Sequence, residues 1–212
     1  MIEAGVDEVG RGPLAGPVVS AAVILDNSIE IEGLNDSKRL TEKKRQELSK
    51  KIKESAIAWS LASASIEEID SINILQASLL SMKRAIESLE IVPEKVLCDG
   101  NHKPNISIEC EAIIKGDSFI KSIMAASIIA KVSRDELMKD LDLLYPGYGF
   151  KEHKGYPTKF HLNALESLGP CKIHRLSFRP ATKLIRLDSY FNATRFCTSS
   201  SSFRIFIIRW DN

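Results

Sequence analysis

Alternation of apolar and polar positions opens the chain. Ile2, Ala4 and Val6 are separated by single residues and predict a short strand that ends at Asp7 and Glu8. Gly10-Arg11-Gly12-Pro13 interrupts the pattern as a turn, and residues 17–25 are apolar enough for a second, largely buried strand. The short link between them favours antiparallel pairing. Thr41 can cap a basic helix reaching about Glu54, and Ile57, Trp59 and Leu61 alternate as a third strand. Ser65-Ile66-Glu67-Glu68 has capping-box spacing for a short helical turn, after which Leu75, Leu79, Met82, Ile86 and Leu89 recur at helical intervals. Residues 95–99 form a fourth strand, and the alternating Ile106, Ile108, Cys110, Ala112 and Ile114 a fifth. Residues 118–132 read as a broad apolar helix, residues 134–144 as its polar continuation or successor, and residues 157–168 as a last helix after a loop at 145–149. Beyond Pro180 the periodicity decays into a Ser-rich stretch and a short apolar segment, residues 203–210. This order predicts an α/β fold: a mixed β-sheet flanked by helices, with a small helical C-terminal part.

Composition narrows the class without naming a function. The 212 residues are 44% hydrophobic and 27% charged, which excludes disorder, collagen-like repeats and a disulfide-dense mini-scaffold. That length suffices for one sizeable core. Cys98, Cys110, Cys171 and Cys197 show neither CxxC pairs nor metal-type spacing and predict reduced thiols. The first residues lack the basic and apolar regions of a secretory signal. The longest apolar stretch, near 120–132, is broken by Lys121, Ser122, Ser127 and Lys131, too polar to cross a bilayer. A cytoplasmic protein with no membrane partner is the expectation.

Charge changes the picture once it is divided by region. The net +1 suggests no attraction to polyanions, yet residues 1–36 carry −6, residues 37–60 carry +5, and residues 151–187 carry +6. An acidic beginning between two basic blocks suits a carboxylate site approached by a phosphate backbone. Each block alone also suits a solvated helix face or a basic loop.

The acids have a common placement. Asp7 and Glu8 end the first strand, Asp99 the fourth, and Asp117 follows the fifth, where it could equally be an ordinary helix N-cap. Carboxylates brought together at strand ends require hard cations between them, and all-oxygen sites suit Mg²⁺ or Mn²⁺. Gly10-Arg11-Gly12 lets backbone N–H groups approach a sugar or phosphate closely, but no Gly-Lys-Ser/Thr follows, so a nucleotide-binding P-loop is disfavoured. His102, His153, His161 and His174 show no pairing that suggests metal ligation or a nucleophilic triad, and read as surface or satisfied histidines. Lys131 and Arg134 read as structural or as supports behind the site residues.

Together these motifs resemble the bacterial ribonuclease HII family. The resemblance is carried by residues 5–18, residues 34–40, Asp99-Gly100-Asn101, Lys115-Gly116-Asp117, residues 125–135, Tyr148-Gly149-Phe150, residues 154–158 and His174-Arg175-Leu176-Ser177-Phe178, in the family's order over about residues 4–180. It implies a ribonuclease-H-like fold and an endonuclease that cuts the RNA strand of RNA–DNA hybrids. It also implies cutting on the 5′ side of single ribonucleotides in duplex DNA, as in ribonucleotide excision repair, leaving 3′-hydroxyl and 5′-phosphate ends. By the same resemblance, Asp7, Glu8, Asp99 and Asp117 form a catalytic site for Mn²⁺ or Mg²⁺. Gly10, Arg11 and Gly12 read the 2′-hydroxyl, and Tyr156 senses the RNA–DNA junction. Lys38, in the first basic block, is a plausible phosphate contact, as are Lys151, Lys154 and Lys159 in the second. The family's default is a monomer, and a replication-clamp contact stays open. Residues 1–185 account for the catalytic domain, while residues 186–212 are a tail without an assigned role. Two alternatives keep the fold: a duplex-binding protein without chemistry, and a ribonuclease HIII-like enzyme or resolvase with another substrate.

Overall fold

A computed structural model of the chain describes residues 2–26 and 28–179. Five strands form one mixed sheet in the order β3-β2-β1-β4-β5. Central β1 (Glu3–Val9) runs antiparallel to β2 (Val18–Ile24), with Asp7 opposite Ala21, and parallel to β4 (Lys95–Asp99), with Val6 opposite Cys98. β3 (Ala58–Ala64) pairs antiparallel with β2, and β5 (Glu109–Ile113) parallel with β4. All of β2 is buried, as a strand covered on both faces must be.

Helices supply that cover. On one face, Met82, Ala85 and Ile86 of α2 (Ile66–Glu87) pack against Ala4, Val6, Ala22, Ile24, Val96 and Cys98. On the other, Leu48 and Ile52 of α1 (Glu42–Ser55) join residues 125–130 of α3 (Lys121–Leu144) over Ala21 and Val23. Gly5 explains how close α3 comes: a Cβ there would sit 2.2 Å from the backbone carbon of Ser122. A smaller cluster of Ala15, Met138, Tyr148, Phe150, Leu165 and Ile173 builds the C-terminal part around α4 (Phe150–His153) and α5 (Lys159–Leu168).

The five strands and the capped helices occur where the periodicity places them, with instructive differences. The capping-box turn and the amphipathic helix after it join into α2 across a break at Asn73, whose φ is 70°. β5 begins at Glu109 rather than near Ile106, because its partner β4 begins at Lys95 and Lys95 pairs with Glu109. The apolar and polar halves of α3 are one helix. Asp117 does not cap it, since Asp117 lies in a 3₁₀ turn (Gly116–Ser118) and Ile120 holds the cap position. The described cysteines, Cys98, Cys110 and Cys171, are free thiols. Among the described residues no helix is long and apolar enough to cross a membrane. The proposed tail at 186–212, with Cys197, lies outside the described residues.

Candidate active site

Strand register brings three aspartates to one point. Val6 pairs with Cys98, so Asp7 and Asp99 follow side by side, and strand alternation turns both toward the α3 face. Asp117 arrives from the turn after β5, its N–H donating to Asp99 Oδ1 at 3.3 Å. One carboxylate oxygen from each of Asp7, Asp99 and Asp117 lies within 4.8 Å of the other two.

Glu8 takes the other side. It lines a shallow groove with Arg11, Asp99, Gly100 and the α2 residues Leu75 and Ser78. Its Oε1 accepts from Arg11 Nη1 at 3.1 Å, and its buried Oε2 has no hydrogen-bond partner among the described residues. Burial raises the Asp7 carboxyl well above the usual carboxylate range, and the charges of Glu8 and Asp99 push it further. Burial raises Glu8 as well, against the pull of Arg11, and raises Asp99. The cluster is therefore short of positive charge. Its all-oxygen donors and one orphaned carboxylate oxygen fit a hard divalent cation such as Mg²⁺ or Mn²⁺.

Lys38 supplies part of that charge. Its Nζ lies 2.8 Å from Asp117 Oδ2, with a side chain 77% exposed against 5% for the aspartate. The residue read as a phosphate contact thus reaches from solvent onto the acids themselves. Beside them, Gly10, Arg11 and Gly12 run toward Tyr156, which is 42% exposed. A Cβ at Gly12 would lie 3.3 Å from Tyr156 Cε1, so glycine lets the ring pack on the loop backbone. A surface concavity of about 460 Å³ along the outer side of β3 near Trp59 contains none of these residues. A duplex lies across a surface, so pocket size does not identify its site.

A model of the ribonuclease HII family matches residues 4–181. The chain belongs to the ribonuclease HII family. It is a ribonuclease H, an endonuclease acting on RNA–DNA hybrids. The ribonuclease H2 of Pyrococcus horikoshii OT3 is similar at 28% identity, with a TM-score of 0.74 over 88% of this chain and 98% of that one. The ribonuclease HII of Archaeoglobus fulgidus, solved in complex with PCNA, shares the fold at 24% identity and a TM-score of 0.71, covering 84% and 96%. Bst-RNase HIII, solved in complex with Mn²⁺, shares it at 20% identity and 0.64, covering 90% and 71%.

Within this ribonuclease HII, sequence reasoning missed some residues around the acids. Ser127 of α3 hydrogen-bonds the Asp7 carboxylate, opposing its rise, and its Oγ lies 2.9 Å from that of Ser37. Its signal was a hydroxyl on the buried side of an apolar helix. His161 and His174 are buried, their Nε2 atoms 3.1 Å apart, and His161 Nδ1 lies 2.9 Å from the Tyr156 carbonyl. They are satisfied histidines, and they hold up the Tyr156 turn.

Proposed function

We propose that Asp7, Glu8, Asp99 and Asp117 hold two divalent cations, Mn²⁺ or Mg²⁺, for hydrolysis on the 5′ side of a ribonucleotide. The substrates are RNA–DNA hybrids and duplex DNA containing a single ribonucleotide, and the products carry 3′-hydroxyl and 5′-phosphate ends. The observation that carries this reading is the approach of three aspartates within 4.8 Å beside the contact between Gly12 and Tyr156. The relative solved with Mn²⁺ supports the choice of ion. Bound there, the ions supply activation of an attacking water and charge for the leaving 3′ oxygen.

The chain's own residues provide the rest. Asp7 and Asp99 offer oxygens on the α3 face, Glu8 offers its unpartnered Oε2 from the groove side, and Asp117 completes the set when Lys38 yields it. Backbone amides of the Gly10–Gly12 loop meet the ribose, whose 2′-hydroxyl both donates and accepts. The Tyr156 ring, which packs on Gly12, is assigned the next sugar. The proposed working unit is a monomer.

The test is divalent-dependent nicking of duplex DNA carrying one ribonucleotide, with an all-DNA control. The expected result is a single nick 5′ to the ribonucleotide and none in the control. Tyr156→Ala should slow that nick by roughly 10-fold to 100-fold, the scale for mispositioning a reacting group. No nicking by the wild type, or equal cutting of the control, would overturn the reading; an unchanged rate in the variant removes Tyr156 from it.

A further inference from the structure

Two guanidinium groups, those of Arg134 and Arg175, are buried with no carboxylate ion-paired to them among the described residues. Burying a charge this way is costly unless every donor is engaged. Arg175 follows α5, where a β-bridge sets His174 against Ala15. Its Nε donates to the Gly16 carbonyl at 2.9 Å, and Nη1 to the Arg11 carbonyl at 3.0 Å. Nη2 reaches the carbonyls of Gly10 at 2.6 Å and Gly16 at 2.7 Å. Arg134, on α3, donates at 3.0 Å to the carbonyls of Pro17, Lys154 and Ala15. All these bonds end on the backbone of residues 10–17 or on the turn just before Tyr156.

That arrangement has a directional consequence. In a trans peptide unit the C=O and N–H point opposite ways. Drawing the Gly10 and Arg11 carbonyls inward onto Arg175 therefore turns the N–H groups of Arg11 and Gly12 outward. Both residues are exposed, and neither N–H donates to another described residue. Arg134 links the same loop to Lys154, which is left-handed at φ 53°, while Leu14 N–H donates to the Gly155 carbonyl at 2.8 Å. Gly10 is required for this packing, since a Cβ there would lie 2.3 Å from Arg134 Nε.

We infer that Arg175 and Arg134 are positioning residues for ribose recognition: Arg175 aims the Arg11 and Gly12 amides outward, and Arg134 sets their distance from the Tyr156 ring. The inference rests on the proposed reading of this loop as the part that senses the 2′-hydroxyl. Donors fixed in advance discriminate because they do not have to reorganise around the substrate.

Arg175→Lys tests it. The ammonium keeps the charge but cannot hold carbonyls in the fork directions of a guanidinium. The readout is kcat/KM on duplex DNA bearing either one ribonucleotide or its 2′-fluoro analogue, whose fluorine is a poor acceptor for those amides. Thermal melting and Mn²⁺ titration accompany the kinetics. The variant is expected to melt cooperatively and keep the wild-type Mn²⁺ half-saturation. Its preference for the ribonucleotide should shrink by roughly 10-fold or more, as expected when a positioned contact is loosened. Arg134→Lys carries the same test should Arg175→Lys fail to fold. A parallel loss on both substrates would mean a merely structural role, and an unchanged preference would mean none in recognition; either overturns the inference. A wild type indifferent to the 2′ group, by contrast, would overturn the reading of the loop and the inference with it.

Discussion

At the scale of single residues, the carboxylates pull stability and activity in opposite directions. Asp99 is held above the usual carboxylate range by burial, with Asp117 adding repulsion, so its charge opposes folding in the absence of cations. Asp99→Asn keeps the shape and removes that charge. The metal-free variant should melt no lower than the wild type, while nicking falls by roughly 10²-fold or more, the scale for losing a group that stabilises transition-state charge. Melting without divalent ions and single-turnover nicking with them check the two halves; full activity would remove Asp99 from the site. The acids themselves were legible in the sequence because each ends or follows a strand. Their division was less so: Asp7 and Glu8 are adjacent on β1, and adjacent strand residues face opposite ways. Read strictly, that rule already separates Glu8 from Asp7. The reach of Lys38 to Asp117 was not legible, because it spans 79 positions in sequence.

At the scale of elements, local chemistry was readable wherever it is self-contained. Ser65 Oγ accepts from Glu68 N–H while a Glu68 carboxylate oxygen accepts from Ser65 N–H, as the four-residue spacing requires. The break in α2 is also local, since Asn73 Oδ1 accepts from the N–H groups of Leu75 and Gln76 and starts the second half of the helix. Asn73→Ala loses that cap and keeps a Cβ at positive φ, so it should cost about 1 kcal/mol, whereas Asn73→Gly should cost only a few tenths. Urea unfolding of the two variants checks the order, and equal losses would remove the backbone from the explanation. Arg84 bridges the halves, its Nη1 and Nη2 lying 2.9 and 2.6 Å from the Glu68 carboxylate oxygens. What the periodicity could not show is where β5 starts and how α3 begins. The first is decided by the length of its partner β4, and the second by a 3₁₀ turn that carries Asp117 to Asp99 instead of onto the helix.

At the scale of the whole molecule, strand order was the hidden quantity: no residue of β4 announces that it pairs with β1, yet that pairing assembles the site. The helix of the C-terminal part was legible but its packing was equally hidden, and that packing encloses groups that make stability depend on pH. His174 is enclosed by Tyr148, Phe150, His161 and Cys171, and its Nδ1 accepts from Cys171 N–H at 2.9 Å. Burial, reinforced by His161, lowers its pKa from 6.5 to about 4. Between those values the unfolded chain binds a proton that the folded chain refuses. The contribution of His174 is therefore complete above pH 6.5 and is lost as pH falls toward 4. From pH 7 to pH 5 the loss amounts to about 2 kcal/mol. The raised carboxyls of Asp7, Glu8 and Asp99 act with the opposite sign, gaining as pH falls, so the wild-type curve contains both. His174→Asn separates them, because an amide oxygen can still accept from Cys171 N–H but does not titrate. Urea unfolding at the two pH values should show a wild-type loss exceeding that of the variant by about 2 kcal/mol. Equal losses would mean that His174 takes up its proton in the folded state, and that the packing beneath the Tyr156 turn admits a charge.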